Sequence, residues 1–284
     1  MFLAGFSERI RLAKLAREET GMGIWQHKVI KNVVGTQLVY DDIRDEKTVG
    51  VISEDPVRGI VEIAQPLGPI FAIIPTTNPT STIMFKVLIA MKTRNPIIIS
   101  PPRSAVKCCS ETVEVCYRAA IGAGAPEDCI QIVTKSSREM TQAFMAHKDL
   151  ALTLATGGTG MVRAAYSSGN PAIGVGPGNV PVLIDSSADV SFAVSSIIAS
   201  KTFDNGTICA SEQSVVVERS ISDKVRDEFV KQGCYFLDES QKEKLSAFAF
   251  SQARGTMNPE VVGQPVAVIA ERAGIEVSPE ARIL

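Results

Sequence analysis

Between residues 69 and 175, short uninterrupted apolar runs alternate with longer segments of helical periodicity. No other feature constrains the fold as tightly. Residues 69–75 read Pro-Ile-Phe-Ala-Ile-Ile-Pro, a continuous apolar strand of the kind covered on both faces. The spacing then predicts a helix over 78–92, with Pro79 suited to its first turn. A strand at 96–100 and a helix at 104–121 follow. Further strands are expected at 130–133, 150–155 and 172–175, with helices from about 137 and 158 between them. Such alternation implies right-handed βαβ units, hence an α/β fold with a mostly parallel, doubly wound sheet.

The flanking segments read differently. Residues 7–20 carry Ile10, Leu12, Ala13, Leu15 and Ala16 among charged residues, an amphipathic helix ended by Gly21 and Gly23. Residues 48–64 alternate around Glu54-Asp55-Pro56, which predicts a hairpin. A hairpin ahead of an α/β unit often serves as an arm for subunit contact, although a surface flap is the simpler alternative. Beyond the strand at 182–185 a second α/β stretch begins, with helices over 189–201 and 222–231 and a strand at 215–218. Two domains are therefore expected, 1–180 and 181–284.

Composition excludes several classes. A net charge of -2 argues against a nucleic-acid or anionic-membrane surface. No apolar run approaches the roughly 20 residues needed to span a bilayer. The first six residues lack a basic region and a long apolar core, so no signal peptide is expected. Six cysteines without paired spacing do not form a disulfide framework, and a reducing cytosol is expected. Only His27 and His147 are present and no Cys/His cluster has ligand spacing, so no metal is expected.

One cysteine stands apart. Cys108, Cys109 and Cys116 lie along the 104–121 helix, and Cys129 and Cys234 lie near turns. Most free cysteines act as small buried hydrophobes. Cys209, in Phe203-Asp204-Asn205-Gly206-Thr207-Ile208-Cys209-Ala210-Ser211-Glu212-Gln213, lies on a small-residue loop that a substrate can approach.

Three more segments sit where open parallel sheets bind ligands, at strand C-termini and helix N-termini. They are Ile73-Ile74-Pro75-Thr76-Thr77-Asn78-Pro79, Thr156-Gly157-Gly158-Thr159-Gly160 and Gly174-Val175-Gly176-Pro177-Gly178-Asn179. The first offers hydroxyls and an amide donor; the glycines of the second permit close backbone approach to a diphosphate or ribose. Neither glycine segment is a Walker loop.

Taken in order with the thiol, these strings resemble the aldehyde dehydrogenase superfamily. The resemblance is strongest to its CoA-acylating branch, as in the acetaldehyde dehydrogenase half of bifunctional aldehyde-alcohol dehydrogenases. It runs from the first helix to the last residue. The resemblance implies an NAD-binding domain over 1–180, and a catalytic domain from 181 of which a large part would follow Leu284. It implies Cys209 as nucleophile, with Asn78 and the Cys209 N–H as oxyanion hole. Ile73, Ile74, Pro75, Thr76, Thr77 and Asn78, with Gly158 and Gly176, would contact NAD. Ser100 and Arg103 would lie at the adenine ribose, without the Glu that hydrolytic relatives often carry there. Coenzyme A and a short aldehyde, with acetaldehyde favoured over succinate semialdehyde or sulfoacetaldehyde, would be the other partners. A homo-oligomer is implied, and filaments are known in the family.

Hydrolytic relatives place a glutamate at the position of Gly174 to activate water. Without a general base, attack by water loses about 10²–10⁴-fold. The resemblance therefore implies an acyl-enzyme that passes to a thiol. Two other readings stay open: a hydrolytic enzyme whose base lies elsewhere, and a non-catalytic or assembly fragment. Lys86 reads as a solvated helix charge, Glu212 as structural rather than a base, and Phe203 as core.

Overall fold

The computed structural model describes residues 1–251 and 255–284. Backbone contacts divide the chain into two compact units. The first comprises Met1–Gly21 and Trp25–Pro177, the second Met22–Ile24 and Gly178–Leu284.

The first unit opens with α1 (Phe2–Ser7) and α2 (Arg9–Thr20), which stops at Gly21 in the left-handed conformation. The single helix expected over 7–20 is thus preceded by a separate short one. Next come α3 (Trp25–Val33), a π-helical turn (Val34–Leu38) and α4 (Val39–Ile43). This run buries a polar face: Lys28, Lys31, Asn32 and Thr36 are inside, while Ile30 is 51% and Val34 47% exposed. The expected hairpin is present as antiparallel β1 (Gly50–Asp55) and β2 (Ile60–Ala64), with an irregular register between Val51 and Ser53. Asp55 Oδ1 accepts from the N–H groups of Val57 and Arg58 and so shapes the turn.

The sheet follows as β3 (Ile70–Ile73), α5 (Pro79–Lys92), β4 (Ile97–Ser100), α6 (Val106–Gly122) and β5 (Ile130–Ile132). It continues as α7 (Arg138–Met145), β6 (Leu152–Thr156), α8 (Thr159–Tyr166) and β7 (Ala172–Val175). All five strands are parallel, in the order β5-β4-β3-β6-β7. The chain winds outward from β3 in one direction, then returns and winds outward from β6 in the other. This is the doubly wound sheet the alternation required.

The core confirms two covered faces. Ile70, Ala72 and Ile74 pack with Ile83, Val87 and Val113 on one side. Phe71 and Ile73 pack with Met145, Leu150 and Ala165 on the other. The alternation along β3 is the two-residue period of a strand, apolar in both directions. Phe71 also stacks on Phe144, ring centroids 4.9 Å apart. Cys108, Cys109 and Cys116 belong to the first cluster, and burial pushes the Cys116 thiol up to about 12. Such a thiol stays protonated and inert.

The second unit is built on β8 (Pro181–Ile184), α9 (Val190–Thr202), parallel β9 (Ser214–Val217) and α10 (Ser222–Lys231). Ile184, Val194, Ile198 and Val225 form its core. Then come α11 (Glu239–Ala249), short antiparallel β10 (Phe250–Ser251) and β11 (Thr256–Met257), and α12 (Val266–Ala273). No helix of the described residues is long and apolar enough to cross a membrane.

Lys86 departs from its expected place in solvent. It lies on α5 beneath the sheet, 3% exposed, and its Nζ donates to the carbonyls of Ile73 and Leu154, each at 2.9 Å. Ile73 closes β3 and Leu154 lies at the middle of β6, so one side chain from α5 ties the two neighbouring strands together. Burial lowers its pKa to about 7, against roughly 10.4 for an exposed lysine. Between those values the unfolded chain binds one proton more than the folded one, so stability rises with pH through that window. The thermal midpoint of the native chain is therefore expected to gain on that of Lys86→Met as pH is raised from neutral towards 10. Parallel melting curves across that range would contradict the assignment.

Candidate active site

The order of strands reverses between β3 and β6, and this opens a crevice at their C-terminal ends. The sequence-expected residues of the first unit gather along that edge. Ile73 ends β3, Ser100 ends β4, Gly158 caps α8 after β6, and Gly176 follows β7. The side chains of Ile73 and Ile74 are buried in the two core clusters, so only their backbone belongs to the edge. The Ile74 N–H is already given to the Ser100 carbonyl at 3.1 Å. Thr76 Oγ1 meets Ser104 Oγ at 3.2 Å, while the exposed Arg103 donates to Ser136 O at 3.4 Å. A Cβ added at Gly158 or Gly160 would meet no protein atom within 4 Å, so packing in this unit does not demand glycine there.

Asn78 is the residue before the first turn of α5, with Pro79 at the first helical position. Asparagine at such a place ordinarily caps the helix through its side-chain oxygen, worth about 1 kcal/mol. Here it makes no capping bond. Its Oδ1 instead accepts from Lys31 Nζ at 2.6 Å, and its Nδ2 donates to Thr77 Oγ1 at 3.0 Å. Three residues earlier on α3, Lys28 Nζ donates to the Thr77 carbonyl at 3.0 Å. Asn32, on the same buried face, donates to Arg9 O and accepts from Thr80 Oγ1. The sequence reading passed over this helix entirely.

Cys209 belongs to the second unit and is exposed. The loop that carries it follows an irregular turn in which Asp204, Asn205 and Gly206 all take positive φ, at 50°, 52° and 71°. Asp, Asn and Gly are the residues that adopt this region most readily. Asp204 is fully buried and organises the turn. Its Oδ1 accepts from the Ile24 N–H at 2.6 Å and its Oδ2 from the Thr207 hydroxyl at 2.7 Å. Asn205 Nδ2 donates to Gly263 O at 3.0 Å. On the far side of the thiol, Ser211 Oγ donates to Ile208 O, and the Gln213 N–H joins Val180 O. Cys209 is thus the exposed tip of a loop fixed at both feet.

Two glycines of the 174–178 segment are required by close approach. A Cβ at Gly178 would collide with the Cys209 carbonyl oxygen. A Cβ at Gly174 would come within 2.6 Å of Val162 Cγ1 and 2.9 Å of Tyr166 Cε2, and the Gly174 N–H donates to the Tyr166 hydroxyl oxygen. A carboxylate at Gly174 is therefore absent and has no room beside α8. Glu212 lines a cavity of about 600 Å³ with Ile197, Lys201, Val225 and Phe229; Cys209 is not part of that wall.

The Asp204 contacts define a measurable cost. Asp204→Ala leaves the Ile24 N–H and the Thr207 hydroxyl without these acceptors, which is expected to destabilise the chain by about 2–4 kcal/mol. Asp204→Asn, which keeps one acceptor oxygen, is expected to cost less. Urea unfolding of both variants checks the order; equal stability of Asp204→Ala and the native chain would contradict it.

Residues 6–234 match the model of the aldehyde dehydrogenase family. The chain is 50% identical to the bifunctional aldehyde-alcohol dehydrogenase AdhE of Escherichia coli K12 over 282 residues, 99% of this chain and 31% of that protein. An acetylating aldehyde dehydrogenase from Geobacillus thermoglucosidasius superposes with a TM-score of 0.94 at 48% identity, over all of this chain and 62% of that one. The propionaldehyde dehydrogenase of Rhodopseudomonas palustris, solved with bound propionyl-CoA, superposes with a TM-score of 0.83 at 31% identity, covering 99% of this chain and 64% of that one. The chain spans less than a third of the E. coli protein and under two thirds of the two solved chains. A reversed parallel sheet, a lone exposed thiol on a braced loop and this breadth of likeness place the chain in the aldehyde dehydrogenase family.

Proposed function

We propose that this chain carries the NAD-binding and thiol-bearing parts of a CoA-acylating aldehyde dehydrogenase, which converts a short aldehyde, acetaldehyde in the first instance, to its acyl-CoA. The observation that carries the reading is a 174–178 segment with neither a carboxylate nor room for one at Gly174, in a chain whose Cys209 is exposed.

Residues 1–180 bind the dinucleotide in this reading, and residues 181–284 supply the nucleophile. The fit of NAD rests on the crevice at β3 and β6. Glycines 158 and 160 leave space that no protein atom fills, and Thr76 and Thr77 bring hydroxyls to the same edge. The backbone of Ile73 to Asn78, with Ser100, Arg103, Gly158 and Gly176, would hold the cofactor. Bound there, NAD supplies the acceptor for the hydride that leaves the substrate carbon.

The chain's own residues do the rest. The Cys209 thiolate adds to the aldehyde carbon, forming a C–S bond and pushing the carbonyl electrons onto oxygen. Asn78 Nδ2 and the Cys209 N–H donate to that oxyanion; such donors are worth about 10²–10³ in rate each. Loss of hydride leaves a thioester on Cys209. The thiolate of coenzyme A then attacks the thioester carbon and returns Cys209 as a thiolate. Water is a poor competitor because nothing in the 174–178 segment can take its proton, whereas a thiol supplies its own anion near neutral pH. The likeness to the acetylating aldehyde dehydrogenase of Geobacillus supports the same chemistry.

Assembly belongs to this reading as well. Apolar residues of both hairpin strands are exposed, as are Val57 in the turn between them, at 94%, and Ile30 on α3. Contact between copies of the chain would cover them. Six free cysteines suit a reducing cytosol.

The test follows NADH from aldehyde and NAD with and without coenzyme A. Turnover that requires coenzyme A and yields the thioester is expected, and Asn78→Ala is expected to lower kcat by about 10²–10³. Equal rates in both arms, with free acid as product, would establish the hydrolytic reading instead.

A further inference from the structure

The amide of asparagine has two faces, an acceptor oxygen and a donor nitrogen, and density alone rarely tells them apart. At Asn78 the surroundings decide. Lys31 is 8% exposed and its ammonium has only donors, so the atom 2.6 Å away must be the oxygen. Nδ2, at the other end of the amide, donates to Thr77 Oγ1. Lys28, 2% exposed and on the same helix face, fixes the Thr77 carbonyl. Two long cationic side chains thus reach from one helix face to one dipeptide. Burying them is expensive unless each is well paired. The forgone helix cap shows that the Asn78 side chain is held for something other than the stability of α5.

We infer that Lys31 is a positioning residue for Asn78: its ammonium holds Oδ1, sets the amide so that Nδ2 is the donor presented to the oxyanion, and withdraws charge from the amide so that Nδ2–H donates more strongly. The inference rests on the reading of Asn78 as an oxyanion donor. Lys28 fixes the backbone under the same amide. Charge-assisted bonds are the strong ones, and hydrogen bonds in series reinforce one another, which gives the ammonium leverage on the opposite end of the amide.

A double-mutant cycle on the full chain separates this inference from the reading beneath it. Lys31→Met is expected to lower kcat about tenfold or more, with KM for NAD changed less than about twofold. In the Asn78→Ala background the same substitution is expected to cost less than about twofold, because its target is gone. Lys31→Arg, which restores a donor-only cation, is expected to recover most of the rate. If Asn78→Ala keeps the native rate, the oxyanion reading falls and the role of Lys31 falls with it. If Asn78→Ala is slow but Lys31→Met is native-like, or is equally damaging in both backgrounds, only the Lys31 inference is overturned.

A second readout does not depend on turnover. The side-chain ¹⁵N resonance of Asn78, identified by its loss in Asn78→Ala, is expected to move upfield in Lys31→Met and return in Lys31→Arg. An unmoved resonance overturns the inference. Should Lys31→Met fail to fold, Asn78→Asp reads the contact from the other side. A carboxylate against the Lys31 ammonium is expected to keep the thermal midpoint at or above that of Asn78→Ala, and a lower midpoint would overturn it.

Discussion

The bridge from Lys86 to the carbonyls of Ile73 and Leu154 joins β3 and β6 at the one place where the sheet changes direction. A doubly wound sheet opens there, because the chain leaves the two neighbouring strands in opposite directions. The buried Lys86 amine, donating to both strands from below, ties them together without filling the crevice above. The residues of the first unit proposed to meet the cofactor are all hung from this edge. Lys28 and Lys31 repeat the device one loop later, gripping Thr77 and Asn78 from α3. Three buried lysine side chains thus do with hydrogen bonds what an apolar contact cannot, since each target is an oxygen.

The second unit solves a different problem, that of holding an exposed thiol on a fixed loop. Asp204 spends its carboxylate on the Ile24 N–H and the Thr207 hydroxyl and so stabilises a turn with three successive positive φ values. Gly178 lies directly against the Cys209 carbonyl, where any larger residue would displace the loop. The other cysteines follow the opposite logic. Burial raises the pKa of Cys116, Cys129 and Cys234. Accessibility therefore separates Cys209 from the rest before any chemistry is invoked.

Much of this was legible in the sequence because the strands are short and buried on both faces. Runs such as Ile-Phe-Ala-Ile at β3 have no other comfortable reading, and the glycine-rich turns fall at their ends by necessity. The strand order was not legible, since pairing depends on contacts far apart in sequence. Polarity misled at Lys86, and α3 was not read at all. Lys86 reads as a surface charge on periodicity alone, because nothing local announces the two carbonyls it meets. The helix α3 buries Lys28, Lys31, Asn32 and Thr36 and exposes Ile30 and Val34, so a hydrophobic pattern would orient it the wrong way round. One signal for Asp204 was available: Asp-Asn-Gly is a run suited to positive φ, and it stands just ahead of the thiol.

The account stands on a thioester at Cys209 that outlives its exposure to water. Intact-mass measurement after mixing the protein with acetaldehyde and NAD reads that species directly. The result expected is a single acetyl adduct, mapped to Cys209, that persists in buffer and disappears within seconds of adding coenzyme A. An adduct on another residue, or one lost equally fast with and without coenzyme A, would contradict the account.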